Sequence, residues 1–297
     1  MKPAATPEPP VWRALVGDYP NTHALKAGRV SSPAVRLTFA DVPVPNRAFK
    51  RVVRDLEFDV AELALMTFLM ARAAARPLVL LPVVLFSRNP LPYLVCRAAP
   101  TPVGPRDLAG RRIGVRSYTT TTAAWLRGIL HDQYAIVLDG IEWVTLEEAH
   151  VAEFADPPNV RRAPAGSDLR AMLLAGDIDA AIVDPVPSDP GIVPVVPDAG
   201  RVFSEWRQRR QAVPINHVVV VNASLPREHP DLVAAVHQLF AESRRLAGSR
   251  VDPASIPIGL DAMRSSLEVA IEYAGAQHLL ARPLEVDELV NEASARG

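Results

Sequence analysis

The stretch DLAGRRIGVRSYTTTTAAWLRGIL (107–130) decides the fold. It follows a Pro/Gly-punctuated link, TPVGPRDLAGRR (101–112). IGV (113–115) then reads as a buried strand. Tyr118 and the four threonines Thr119, Thr120, Thr121 and Thr122 lead from it into a helix over AAWLRGIL (123–130). A short apolar run passing straight into a helical one is one step of an α/β architecture. Working outward, the step recurs. IEWV (141–144) reads as a strand, DLRAMLLAGD (168–177) as a helix closed by Gly176, and DAAIVD (179–184) as the next strand.

Upstream, WRALVG (12–17) and AVRLTFA (34–40) read as strands, with helices expected over 21–28 and 46–56. FDVAEL (58–63) starts as a strand and passes into a helix reaching Ala75. PLVLLPVVLF (77–86) and PYLVCRA (92–98) supply two buried strands. Downstream, HVVVVNAS (217–224) alternates as a strand, and helices are expected over 230–247, 259–281 and 285–295. The pattern gives a largely parallel sheet in each of two units.

Composition narrows the function classes. The chain has 297 residues and a formal net charge of −1, which argues against a nonspecific nucleic-acid binder with a basic face. Its one cysteine, Cys96, excludes an intramolecular disulfide and multi-cysteine metal sites, and its strand context makes it a core residue. The longest apolar stretch, 78–86, is far short of the roughly 20 residues that span a bilayer. MKPAATPEPP (1–10) carries no apolar core of a secretory signal, so a flexible tail and a cytoplasmic location are expected. There are 29 prolines, about twice the usual share of about 5%. Many gather at 100, 102 and 105 and again at 185, 187, 190, 194, 197 and 214, as stiff connectors would. Basic side chains total 32, yet only Lys2, Lys26 and Lys50 are lysines. The Arg207–Arg210 run reads as a solvated helix face.

The segments 107–130 and LRAMLLAGDIDAAIVD (169–184) resemble the strand–helix and helix–Gly–Asp–strand units of type II periplasmic-binding-protein folds. More narrowly, the chain resembles the 4,5-dihydroxyphthalate decarboxylase family. That resemblance is carried by GDYPNTHALKAGRV (17–30), FDVAEL (58–63), FSRNPLPYLV (86–95), IGVRSYTTTTAAWLRGIL (113–130), VPINHVVVV (213–221) and the tail 266–290. It implies a two-lobed α/β fold in which each lobe is a mixed, mostly parallel sheet flanked by helices, with a ligand cleft between. Residues 11–99 and 215–297 would form lobe 1, and residues 100–214 lobe 2. It also implies decarboxylation of a hydroxylated, phthalate-like aromatic carboxylate without a cofactor or metal. The expected partner is a small anionic aromatic ligand, with no nucleic acid or membrane; a homo-oligomer is compatible. Two departures stand out. Arg116-Ser117-Tyr118 replaces the family's Pro-Glu-Tyr, and Val183-Asp184-Pro185-Val186-Pro187 replaces a basic-residue–Xaa–Pro signature. Both keep open a different substrate or a solute-binding protein without chemistry.

Loss of CO2 from an aryl carboxylate needs clamps for carboxylates, a base near a ring hydroxyl and an acid facing the ring carbon. Residues just after strands are the candidates, because ligands of open α/β sheets sit at strand C-termini. Arg88 can take a carboxylate bidentately. Ser117, Tyr118, Thr119, Thr120 and Thr121 precede a helix N-terminus, a ready anion site, with Arg116 as a second cation. Asp18, Tyr19 and His23 follow the first strand, where turn and helix-cap roles compete with ligand contact. Glu62 falls where strand becomes helix. His217 is the first choice for proton transfer, with Asp184 to orient it or a ligand hydroxyl. Glu147 and His150, three apart, would share a helix face but lack a third metal ligand.

Overall fold

The computed structural model describes residues 8–99 and 101–290. β1 (Val11–Leu15), α1 (His23–Lys26), β2 (Arg36–Phe39), α2 (Phe49–Asp55), β3 (Val60–Ala64), α3 (Leu65–Ala73) and β4 (Leu78–Ser87) come first. β5 (Leu94–Arg97), β6 (Arg112–Val115), α4 (Thr121–Tyr134), β7 (Glu142–Thr145), β8 (Val160–Arg162), α5 (Leu169–Ala175), β9 (Ala180–Ile182), β10 (Ile192–Pro194) and α6 (Ala199–Arg210) follow. β11 (Ile215–Asn222), α7 (Ser224–Glu228), α8 (Pro230–Ala247) and α9 (Leu260–Ala276) complete the chain.

The strands form two sheets, the basis of two lobes. The first has the order β2-β1-β3-β11-β4 and the second β10-β5-β9-β6-β7-β8. β1, β2 and β3 run parallel, and β11 inserts antiparallel to both β3 and β4. In the second sheet β9, β6, β7 and β8 are parallel, with β5 and β10 as an antiparallel edge. The chain therefore enters the second sheet with Leu94, earlier than the boundary at 99 expected from sequence. PYLVCRA spans that crossing, and its apolar character alone cannot say which sheet it joins.

α3 is buried along its whole length, including Arg72, so it is a central helix rather than an amphipathic surface one. One core joins α3, α4 and α9 and contains Cys96, in keeping with its strand context. A second fills the other face of the first sheet beneath α8, and a third lies beneath α5. α5 starts at Asp168, whose Oδ1 accepts from Ala171 N at 2.8 Å, and ends at Gly176 with φ 86°, as its sequence predicts.

Three expectations need correction. The expected helix over 285–295 is a single 3₁₀ turn at Val286–Leu289, and residues 291–295 lie outside the described residues. Glu147 and His150 share no helix; both lie in the irregular segment after β7. The Arg207–Arg210 run is not wholly solvated, because Arg210 pairs with Glu272 and lies within 3.7 Å of Asp132. Among the described residues, no helix is long and apolar enough to cross a membrane.

Candidate active site

Between the sheets lies a cavity of about 800 Å³, bordered by the ends of β3, β4, β6, β9 and β11. Four arginines (47, 88, 116 and 170) and two histidines (150 and 217) line it, against the carboxylates of Glu147, Asp168 and Asp184. The excess of guanidinium groups suits an anion.

His217 enters from β11, where its Cα pairs with Ala64 of β3 and Phe86 of β4. The register of β11 against β4 is irregular on either side of it, a local distortion that commonly re-aims a side chain. Its Nδ1 lies 2.6 Å from Glu62 Oε1. Glu62 is fully buried on β3 and accepts two further hydrogen bonds, from Tyr19 Oη at 2.5 Å and from Gly17 N at 2.7 Å. A buried carboxylate persists only when its oxygens are satisfied, and three donors do so here. Glu62 can only accept from the imidazole, so Nδ1 carries the hydrogen and Nε2 is left for the cavity. Burial, reinforced by the neighbouring Glu62, raises the Tyr19 hydroxyl well above the ordinary tyrosine range, so Tyr19 stays a donor. Gly17 is required by this packing: a Cβ there would meet the Tyr19 ring at 2.6 Å. Phe49 and Phe86 flank the imidazole edge-on, with centroids 5.4 and 5.7 Å away.

Arg88 follows β4. Its guanidinium donates from Nη1 to Asp184 Oδ2 at 2.7 Å and from Nη2 to Thr122 Oγ1 at 2.8 Å, and it lies 4.2 Å over the Tyr93 ring. Asn216 Nδ2 also donates to Thr122 Oγ1, at 3.3 Å. Arg116 pairs with Glu147 at 3.0 Å. Ser117 and Thr119 share a hydrogen bond of 3.2 Å, and Thr121 Oγ1 accepts from Met66 N at 3.1 Å. Thr120 is the N-cap of α4 and its side chain makes no capping bond, and Thr120, Thr121 and Thr122 all line the cavity, which sets the start of the helix beside it.

The structure brings Arg88, Arg116, Ser117, Thr119, Thr120, Thr121, Asp184 and His217 to one cavity. Glu62 and Tyr19 stand behind His217 instead of lining it. Asp18 and His23 pair with each other at 3.1 Å on the exposed surface, away from the lining. Tyr118 turns inward: its hydroxyl donates to Gln277 O at 3.3 Å, and the buried Arg127 guanidinium sits 4.0 Å over its ring. Burial lowers the Arg127 pKa to about 10.

Sequence reasoning passed over Arg47, Phe49, Thr67 and Asn216, and it set His150 aside. Arg47 comes from the 3₁₀ turn Pro45–Ala48 and has no carboxylate partner among the described residues. His150 Nδ1 lies 3.0 Å from Thr67 Oγ1. Burial first, then the charges of Arg116, Lys50, Arg54 and His217, push the His150 pKa down to about 4. Among the described residues, no three His, Cys, Asp or Glu side chains are grouped to hold a metal ion.

No family model matches the chain. It is 28% identical over 253 residues to the 4,5-dihydroxyphthalate decarboxylase of Comamonas testosteroni, covering 81% of this chain and 76% of that protein. It is 29% identical over 182 residues to the enzyme of the same name from Pseudomonas putida, covering 58% and 70%. Among solved structures, the alkanesulfonate-binding protein SsuA of Xanthomonas axonopodis pv. citri, bound to MOPS, superposes with a TM-score of 0.55 at 16% identity, over 98% of this chain and 99% of that one. The aliphatic sulphonate-binding SsuA of Escherichia coli gives 0.50 at 14%, over 98% and 84%. The chain thus has the two-lobed fold of the periplasmic binding proteins, and in sequence it resembles the 4,5-dihydroxyphthalate decarboxylases.

Proposed function

We propose that this chain is a carboxy-lyase that removes one carboxylate from a hydroxylated, phthalate-like aromatic acid held in the cavity between the lobes. One observation carries the reading: a histidine at the cavity wall whose far nitrogen is held by a fully buried, three-fold satisfied carboxylate. The chain's similarity to two 4,5-dihydroxyphthalate decarboxylases supports the substrate class.

The chemistry follows from the groups present. A ring hydroxyl para to the leaving carboxylate, once its proton has passed to water, pushes electron density onto the carbon that bears it. His217 Nε2, having taken up a proton from water while Nδ1 keeps its hydrogen on Glu62, gives that proton to the carbon. The C–C bond to the carboxylate then breaks, its electron pair restores the aromatic ring, and CO2 departs. No electrons leave the substrate, so the step needs no redox cofactor. Glu62 holds the imidazole in register and offsets the positive charge it carries before the transfer. Arg88, the start of α4 and Arg47, which has no carboxylate partner among the described residues, hold the carboxylates, while Phe49 and Phe86 supply apolar surface for the ring.

The test is incubation of the purified protein with 4,5-dihydroxyphthalate and with phthalate, following CO2 release and thermal stabilisation together. CO2 release from the hydroxylated acid, abolished in His217→Ala, is the expected result. Stabilisation without turnover would make the protein a solute binder, the role its structural neighbours perform. Turnover unchanged by His217→Ala would remove His217 as the proton donor.

A further inference from the structure

The cavity holds a second histidine, which the mechanism above does not use. His150 and His217 both meet the ring of Phe49 edge-on, at centroid distances of 5.7 and 5.4 Å. A ligand ring laid against Phe49 is therefore within reach of both. The two imidazoles are tied back differently. The Nδ1 partner of His217 is a carboxylate, which only accepts. The Nδ1 partner of His150 is the hydroxyl of Thr67, which is buried at 3% exposure. That nitrogen is the only hydrogen-bond partner of the hydroxyl among the described residues. A buried O–H left without an acceptor costs about 1–3 kcal/mol, so the hydroxyl donates and Nδ1 accepts. The hydrogen of a neutral His150 is then on Nε2.

Burial first, and then charge, keeps it neutral. Arg116, Lys50, Arg54 and His217 surround the ring, and it is partly sealed from water. Arg54 further anchors the segment, donating to the carbonyl oxygens of His150 at 2.8 Å and Ala149 at 3.1 Å. The result is a fixed, uncharged N–H donor on the cavity wall.

We infer that His150, set by Thr67 as its Nε2–H tautomer, donates a hydrogen bond to a ring oxygen of the ligand and so makes the cavity select hydroxylated over unhydroxylated aromatic dicarboxylates. The inference rests on the proposed substrate class and adds the residue that reads the hydroxyl. A neutral donor suits this role, since it can pair with a phenol oxygen, more strongly with a phenolate, and is left unpaired by a ring lacking the oxygen. Carboxylate clamps cannot make that distinction, because both ligands carry the same two carboxylates.

The experiment is calorimetric titration of the full chain with 4,5-dihydroxyphthalate and with phthalate, together with ¹⁵N chemical shifts of the imidazole nitrogens. The wild-type protein is expected to prefer the hydroxylated acid by about tenfold or more. His150→Phe keeps the aromatic contact with Phe49 and should reduce that preference about tenfold, leaving phthalate affinity within about threefold. His150→Gln, which retains an N–H donor, should keep part of the preference. The shifts should show hydrogen on Nε2 of His150, and Thr67→Val should erode that tautomer. A preference unchanged in His150→Phe, hydrogen on Nδ1, or no binding of either acid would overturn the inference. Preferential binding that depends on His150 but releases no CO2 would sustain it while sinking the carboxy-lyase reading.

Discussion

Glu62 and His217 lie 155 residues apart in the chain and 2.6 Å apart in space, on adjacent antiparallel strands of one sheet. The carboxylate is fully buried and the imidazole 19% exposed, so the pair presents a single face to the cavity. Glu62→Gln tests what the carboxylate contributes beyond shape. The amide can donate to Nδ1 and thereby favour the tautomer with hydrogen on Nε2. Removing the analogous orienting carboxylate elsewhere costs up to about 10⁴-fold. The expected outcome is a drop in kcat of about 10²-fold or more with KM within a few-fold, measured by CO2 release.

Tyr19→Phe keeps the ring stacked on Phe86 at 6.3 Å but removes one of the three donors to Glu62. A buried charged acceptor that loses a partner costs about 1–3 kcal/mol. Urea unfolding should show a loss in that range.

Arg47 and Arg88 separate by their partners. Both arms of Arg88 are engaged, by Asp184 and Thr122, whereas Arg47 has no carboxylate partner among the described residues. Arg47→Gln is expected to raise KM for a dicarboxylate about tenfold with kcat little changed, in line with a charge-assisted bond of about 1.5 kcal/mol or more. Its effect should shrink as salt is added, because Arg47 is exposed.

His150 makes stability depend on pH. Its pKa falls from 6.5 to about 4 on folding, mainly through burial. The unfolded chain therefore binds this proton more tightly, and stability falls as pH drops from about 6.5 toward 4. By pH 5 the loss is on the order of 1–2 kcal/mol at this partly exposed site. Thermal unfolding of His150→Phe compared with wild type at pH 7 and pH 5 should show the variant losing less.

At Gly128, α4 packs directly against the Tyr273 ring of α9. A Cβ there would fall 2.0 Å from Tyr273 Cδ2, inside a fully packed core. Gly128→Ala is expected to destabilise the protein by about 1–3 kcal/mol, outweighing the gain in helix propensity, as chemical denaturation would show.

The strands and helices are readable where apolar runs have one period and a clear stop, as with β6, α4 and the Gly176 end of α5. Membership of β5 in the second sheet is not, since a short apolar strand looks the same in either sheet. Within the site, residues after strands are legible by position: Arg88, the threonines and His217. Sequence cannot tell which neighbours in one loop face the same way, so Tyr118 groups with Ser117 and Thr119 although its ring turns into the core. Arg47, Thr67 and Asn216 carry no local signal. Arg47 sits in what reads as the first turn of a longer helix, Thr67 in a helix otherwise apolar but for Arg72, and Asn216 beside a bulge that no pattern announces. His150 draws notice only for a spacing that presupposes a helix.

The bond from Met66 N to Thr121 Oγ1 joins the first turn of α3, which leaves the first sheet, to the first turn of α4, which leaves the second. α9 packs against both helices from behind. The two lobes are thus riveted at the cavity floor. The Arg88–Asp184 and Arg116–Glu147 pairs line the same cavity, so an incoming dianion competes with those carboxylates for guanidinium groups that are already engaged.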